Sequence, residues 1–133
     1  MTAATAYTLD ELLEIARRYR VPADLPIDFD AKPYSRVPIY RDDTHEVVVI
    51  CFGPGQTSSV HDHRGSNCVV RVIEGKLLEL FFDRDGDETA LTSHHYLAPG
   101  DVSGLDEARI HQIANMHPVG SVLINFYSPP FQV

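Results

Sequence analysis

GQTSSVHDHRGSNCVVRVIEG, residues 55–75, is the stretch whose reading decides the fold. His61 and His63 are separated by one residue and sit between strand-like runs. On a β-strand residues i and i+2 point to the same face, so both imidazoles reach one ion, while Asp62 between them points away. An HxH pair by itself is a weak signal, because strand histidines commonly serve as hydrogen-bonded core or surface residues. The flanking sequence strengthens the strand reading. Upstream, Glu46 to Phe52 (EVVVICF) is a nearly continuous β-branched run suited to a buried strand. Downstream, CVVRVIEGKLLELFF from Cys68 reads as a strand, a turn at Glu74-Gly75 and a second strand, a pattern that predicts a hairpin.

The chain has 133 residues, enough for one core and too few for two. Hydrophobic residues make up 44%, and no apolar run approaches the ~18 residues of a bilayer span, so no membrane association is expected. The run MTAATAYTLDELLEIARR has neither an apolar core nor a small-residue cleavage site, so no signal peptide is expected and a cytoplasmic location is. A net charge of −8, from 19 acidic and 11 basic residues, lacks the basic footprint that nucleic acid requires. No obligate protein partner is evident. Cys51 and Cys68 are expected to stay reduced in such a compartment, Cys51 as core filler.

Residues 8–20, TLDELLEIARRYR, carry a helical stripe of apolar positions, with Thr8 as N-cap, Glu11 completing a capping box and Pro22 stopping the helix. That helix is expected to cover a sheet and to carry no chemistry. Residues 1–33 are therefore assigned to an N-terminal helix and linker, and 34–133 to a β-barrel, within one domain. Tyr34 to Tyr40 has the look of an edge strand, and Asp42-Asp43 of a turn. DRDGDE (83–88) lacks the spacing of a calcium loop and is expected to be a solvated hairpin turn. Residues 89–98 and Gly120 to Tyr127 are further strands. His94 and His95 are adjacent, so they face opposite sides, and neither is expected in a shared site. Many short strands with Gly and Pro punctuation and one leading helix make a small antiparallel barrel.

The spacing from Gly55 through His61 and His63 to Gly75 resembles the first cupin motif, G-x5-H-x-H-x4-E-x6-G, with Cys68 where the motif has glutamate. After the Pro99-Gly100 turn, His111-Gln-Ile-Ala-Asn115 resembles the H-x3-N of the second motif. The resemblance implies an all-β cupin, a double-stranded β-helix or jelly-roll barrel with a short N-terminal helix. It also implies a site of three imidazoles and no carboxylate. Such a donor set suits zinc, iron, nickel or copper, and spacing alone does not choose among them.

Four separated segments carry a closer resemblance: Tyr34-Ser-Arg36; Cys51 through the HDH segment to Cys68; His111 to Asn115; and Tyr127-Ser-Pro-Pro-Phe131. Together they resemble the thiol dioxygenases of the cupin superfamily, the type I cysteine dioxygenase family above all. The resemblance implies Fe(II) on His61, His63 and His111, with the remaining positions left to a small-molecule thiol substrate and O2. Three neutral imidazoles leave the ion its full charge, which favours a soft thiolate from outside. Arg36 matches the arginine that holds the substrate carboxylate, a role suited to its planar fork, with Tyr34 beside it. Cys68 and Tyr127 match the pair that forms a thioether beside the iron in animal-type enzymes, leaving Tyr127 to hydrogen-bond to oxygen or substrate. Ser128-Pro129 resembles a segment with a cis peptide bond.

The match has departures. Where the family places a serine and a histidine four and two residues before the tyrosine, this chain has Leu123 and Asn125. Leucine cannot hydrogen-bond and asparagine cannot take up a proton, so the relay to the Tyr127 hydroxyl is broken. The expected reaction is oxidation of L-cysteine to cysteine sulfinic acid, Arg36 favouring a thiol with a carboxylate over cysteamine. The alternatives are another mercapto acid such as 3-mercaptopropionate, a non-catalytic metal-binding sensor, and a zinc or nickel cupin with isomerase or hydrolase activity.

Overall fold

Strands β2 (Glu46–Phe52) and β8 (Ser121–Ser128) are buried at every residue, because each has a packed layer on both faces. On β2, Val48, Ile50 and Phe52 point into the barrel, while Val47, Val49 and Cys51 point outward beneath a helix. On β8 the same alternation sends Leu123 and Tyr127 inward and Val122, Ile124 and Phe126 outward. This explains why their sequences are continuous apolar runs rather than alternating ones. The computed structural model describes residues 6–131. Residues 1–5 of the N-terminal run read for a signal peptide, and the last two residues of the barrel assignment, lie outside them.

The other elements are helix α1 (Leu9–Arg18) and strands β1 (Ser35–Arg41), β3 (Asn67–Glu74), β4 (Leu77–Asp85), β5 (Glu88–Leu97), β6 (Val102–Leu105) and β7 (Ile110–Ala114). They form two antiparallel sheets, ordered β1-β2-β8-β3-β6 and β5-β4-β7. The interior between them holds Val48, Phe52, Cys68, Val70, Leu77 and Leu123 among others. No helix of the described residues is long and apolar enough to cross a membrane.

Helix α1 starts as its sequence predicts but ends at Arg18, with Tyr19 already extended, before Pro22 is reached. Thr8 Oγ1 accepts from the Glu11 N–H at 3.2 Å and Glu11 Oε1 accepts from the Thr8 N–H at 3.0 Å, closing the capping box. Leu12 and Ala16 are fully buried against the outer face of the larger sheet. Arg71 of β3 secures the far end, its Nη1 donating to the carbonyls of Ala16 at 3.0 Å and Tyr19 at 2.7 Å. The helix is a cover, and it leaves the barrel mouth free for chemistry. Both cysteines are free and buried; Cys51 faces α1 and Cys68 faces the interior, so they point to opposite sides of the sheet.

The hairpin expected from Cys68 to Phe82 does not form. β3 pairs with β8 and β6, whereas β4 pairs with β5 and β7, so Gly75-Lys76 carries the chain from one sheet to the other. The reason lies at β8. Gly75 has φ +83° and lies so close to β8 that an added Cβ would fall 2.3 Å from Ser121 Oγ. Ser121 Oγ in turn accepts from the Lys76 N–H at 3.2 Å and donates to the Lys76 carbonyl at 3.3 Å. A short link at the edge of a two-layer fold can change sheets as readily as reverse within one. Gly75→Ala is expected to destabilise the protein by about 2 kcal/mol or more, combining the left-handed backbone with the clash, as read from denaturant unfolding. The true hairpin is the DRDGDE turn, where Asp85 pairs with Glu88 across Gly86-Asp87. β5 has the expected length, displaced by one residue toward the N-terminus, and the short strand β6 adds to the strands read from the sequence.

Candidate metal centre

His61 enters the site from the loop before β3 and is held by backbone to β7: its N–H donates to the His111 carbonyl at 3.0 Å, and the His111 N–H returns the bond at 2.9 Å. Asn115 anchors the same loop. Its side-chain amide donates to the Phe52 carbonyl at 3.0 Å and the Val119 carbonyl at 2.9 Å, and its own carbonyl accepts the Gly55 N–H at 2.8 Å. The asparagine of H-x3-N is thus a brace. Ser66 ties the other side of the loop, its N–H bonding the His63 carbonyl at 2.7 Å and its hydroxyl the Pro129 carbonyl at 2.9 Å. The Ser128-Pro129 peptide is cis, as is Lys32-Pro33.

These braces bring together the three histidines that the sequence singles out. One ring nitrogen from each of His61, His63 and His111 lies within 4.8 Å of the others. His61 Nδ1 donates to the Ser59 carbonyl at 2.7 Å and His111 Nδ1 to Glu79 Oε2 at 2.9 Å, which leaves both Nε2 atoms as acceptors. Those two acceptors face each other at 3.2 Å. Both ring nitrogens of His63 are buried without any hydrogen-bond partner. Two opposed lone pairs and an orphaned imidazole are costly unless a cation shares them. Burial, then the neighbouring His111 and His61 rings, push the His63 imidazole down to about 3, so it is neutral and ready to donate its lone pair. Burial and His111 likewise lower His61. The donor set fits a metal ion.

Three other residues singled out by the sequence line the same cavity, which measures about 240 Å³ and takes in Tyr34, Arg36 and Tyr127 as well as the histidines. That is below the ~300–1,000 Å³ of drug-sized sites, a size for a ligand no larger than an amino acid. Arg36 Nη2 is buried without a partner, and the guanidinium lies 5.7 Å from the centre of the Tyr127 ring. Tyr34 packs on Phe52 with ring centres 4.9 Å apart and lines the cavity together with Arg36. Cys68 is fully buried and sits directly opposite Tyr127 in the β3–β8 register. Burial pushes the Cys68 thiol well above its ordinary value, and burial, with Cys68 nearby, also raises the Tyr127 phenol. Phe131 stacks on Tyr127 at 5.0 Å.

Asn125 keeps one contact that its residue type left open: its Nδ2 donates to the Tyr127 hydroxyl at 2.8 Å. The line of hydrogen bonds ends there. Asn125 Oδ1 is buried without a partner, and Leu123 presents only an apolar wall. Asp62 stays out of the donor set and pairs with Arg84 at 3.2 Å.

Glu79 is a residue the sequence reading passed over. It is fully buried on β4, accepting from His111 Nδ1 at 2.9 Å, His95 Nε2 at 2.5 Å and Ser103 Oγ at 2.6 Å. Burial alone opposes its charge, but the bonds from His111, His95 and Ser103 outweigh it and hold the carboxyl below its usual range. The signal was present: within LLELFF, Glu79 shares the inward face of Leu77 and Phe81, and a carboxylate on a core-facing position needs partners.

A two-sheet barrel whose mouth gathers three imidazoles defines a cupin-type metal-site protein, and solved structures agree on the fold. The cupin domain of Cnp3 from Schizosaccharomyces pombe superposes with a TM-score of 0.63 at 9% identity, covering 74% of this chain and 66% of that one. A double-stranded β-helix protein from Klebsiella pneumoniae superposes with a TM-score of 0.61 at 20% identity, covering 92% and 83%. At such identities the likeness is one of fold. Sequence narrows the class: the chain belongs to the family described as cysteine dioxygenase type I, whose model matches residues 6–133. Human cysteine dioxygenase type 1 is 31% identical over 90 residues, 64% of this chain. The chain spans 45% of the length of that relative.

Proposed function

We propose that this protein is an Fe(II)-dependent dioxygenase that adds both atoms of O2 to the sulfur of a small thiol carboxylate, L-cysteine first among them, giving the sulfinic acid. The observation that carries the proposal is the pairing of two unmet demands in one small cavity. His63 lacks any partner for its ring nitrogens, and Arg36 lacks one for a buried guanidinium nitrogen. A metal ion answers the first and a carboxylate the second, and a thiol carboxylate joins them.

Iron(II) held by His61, His63 and His111 would supply the redox chemistry that couples thiol and O2. The chain's own residues supply the rest. Arg36 takes the carboxylate through a charge-assisted bond and so orients the sulfur toward the imidazoles. Tyr34, Phe52 and Leu123 exclude water from the carbon chain of the ligand. Tyr127, whose hydroxyl accepts from Asn125, keeps its own proton free to donate into the cavity, and its raised ionisation keeps that proton in place near neutral pH. Iron, substrate and the site roles of these residues form one reading supported by family membership and by this geometry, and a cytoplasmic location is proposed with it on family membership alone.

The direct test is oxygen uptake by iron-loaded protein with L-cysteine, 3-mercaptopropionate and cysteamine. Uptake with the two carboxylates and little with cysteamine is expected; no uptake with any thiol would defeat the enzymatic reading. The cross-strand placement of Cys68 and Tyr127 also favours a thioether between them. Intact mass should fall by two hydrogens after turnover and not in a Cys68→Ala variant; an unchanged mass would count against the bond.

A further inference from the structure

The three histidines differ in what stands behind them. His61 leans on a backbone carbonyl and His63 on nothing, whereas His111 donates to a fully buried carboxylate. That carboxylate is held in turn. Glu79 Oε1 accepts from Ser103 on β6 and from His95 on β5, and Oε2 is left to His111 on β7. Four strands from both sheets, β4, β5, β6 and β7, therefore converge on one group. His95 is by far the most exposed member, its side chain 46% exposed against 8% for Ser103.

We infer that Glu79 is a positioning residue for the candidate metal centre, fixing the ring orientation and tautomer of His111 and raising its basicity, and that His95 and Ser103 hold Glu79 for that task. The inference rests on the metal reading above and adds residues to it. Three donors from three strands fix the carboxylate in place, and a carboxylate that accepts the far N–H of an imidazole pushes electron density toward the near nitrogen. The centre thus has uncharged donors but one anionic support, carried on a single ring. The network also gives the exposed strand β5 a physical connection to the site through a single side chain.

The probe is cobalt(II) alone, titrated into metal-free full-length protein against a chelator, with the visible absorption of the bound ion recorded. Glu79→Gln keeps the shape and an acceptor for His111 but removes the charge. It is expected to weaken cobalt binding by about 10- to 100-fold and to shift the absorption bands. His95→Ala should weaken binding by a smaller factor with a shift in the same direction, and His95→Gln, which restores a donor, should recover both. Unchanged affinity and spectrum in Glu79→Gln would overturn the inference. If that variant fails to fold, His95→Ala and Ser103→Ala decide the matter, and wild-type values in both would overturn it. Should the unsubstituted protein bind no cobalt, the metal reading itself falls and this inference with it. Binding by the wild type with no effect of these substitutions overturns the inference alone.

Discussion

His63→Leu is expected to abolish metal binding and oxygen uptake while making the metal-free protein more stable. Both ring nitrogens of His63 are buried without partners, and each unmet polar atom costs on the order of 1–3 kcal/mol. Leucine fills a comparable volume without that cost and would pack against Tyr127 and Phe131, whose ring centres both lie 5.8 Å from the imidazole. A gain of about 1–3 kcal/mol in metal-free unfolding free energy, together with loss of bound iron, would mark His63 as a residue kept for function at the expense of stability. A variant that is less stable without metal would mean that the imidazole is satisfied in some other way.

The second large effect concerns Arg36. Removing its guanidinium by Arg36→Met keeps most of the stem that packs in the cavity wall but leaves an incoming carboxylate without its partner. Truncating one member of a buried charge pair costs about 2–5 kcal/mol, so kcat/KM for L-cysteine should fall by about thirtyfold to a few thousandfold. Cysteamine, which has no carboxylate, should be turned over as poorly by the variant as by the wild type. Equal losses for both thiols would place Arg36 in the stability of the barrel instead of in recognition.

Much of the architecture was legible because it is written in local periodicity. The capping box at Thr8 and Glu11 and the unbroken apolar run of β2 form as expected. The HxH spacing also delivers His61 and His63 to one point, even though His61 enters from a loop bridge rather than from a long strand. What remained hidden depends on partners far along the chain. Gly75 announces a turn but not whether the next strand returns to the same sheet; that is decided by Ser121, 46 positions away, pressing on the glycine. Glu79 looked like one more residue of an apolar strand because its three donors come from three other strands. His95 lies outside the three-imidazole cluster, yet it reaches the same centre at one remove through Glu79.

The departure at Leu123 and Asn125 gains a physical meaning from the structure. Asparagine preserves a hydrogen bond to Tyr127 at 2.8 Å but offers no proton acceptor beyond it, since its Oδ1 ends in the cavity wall without a partner. Through Asn125, Tyr127 is therefore positioned without gaining a partner that takes up protons. This favours a tyrosine that acts as a fixed hydrogen-bond donor rather than as one end of a proton pathway.

The measurement that bears most directly on the central claim is a crystal structure of the iron-loaded protein soaked with L-cysteine in the absence of oxygen. The account requires the iron on the ring nitrogens of His61, His63 and His111, the cysteine sulfur on the iron, and the cysteine carboxylate on Arg36. An iron bound elsewhere, an acidic side chain completing its shell, or a cysteine whose carboxylate turns away from Arg36 would contradict it.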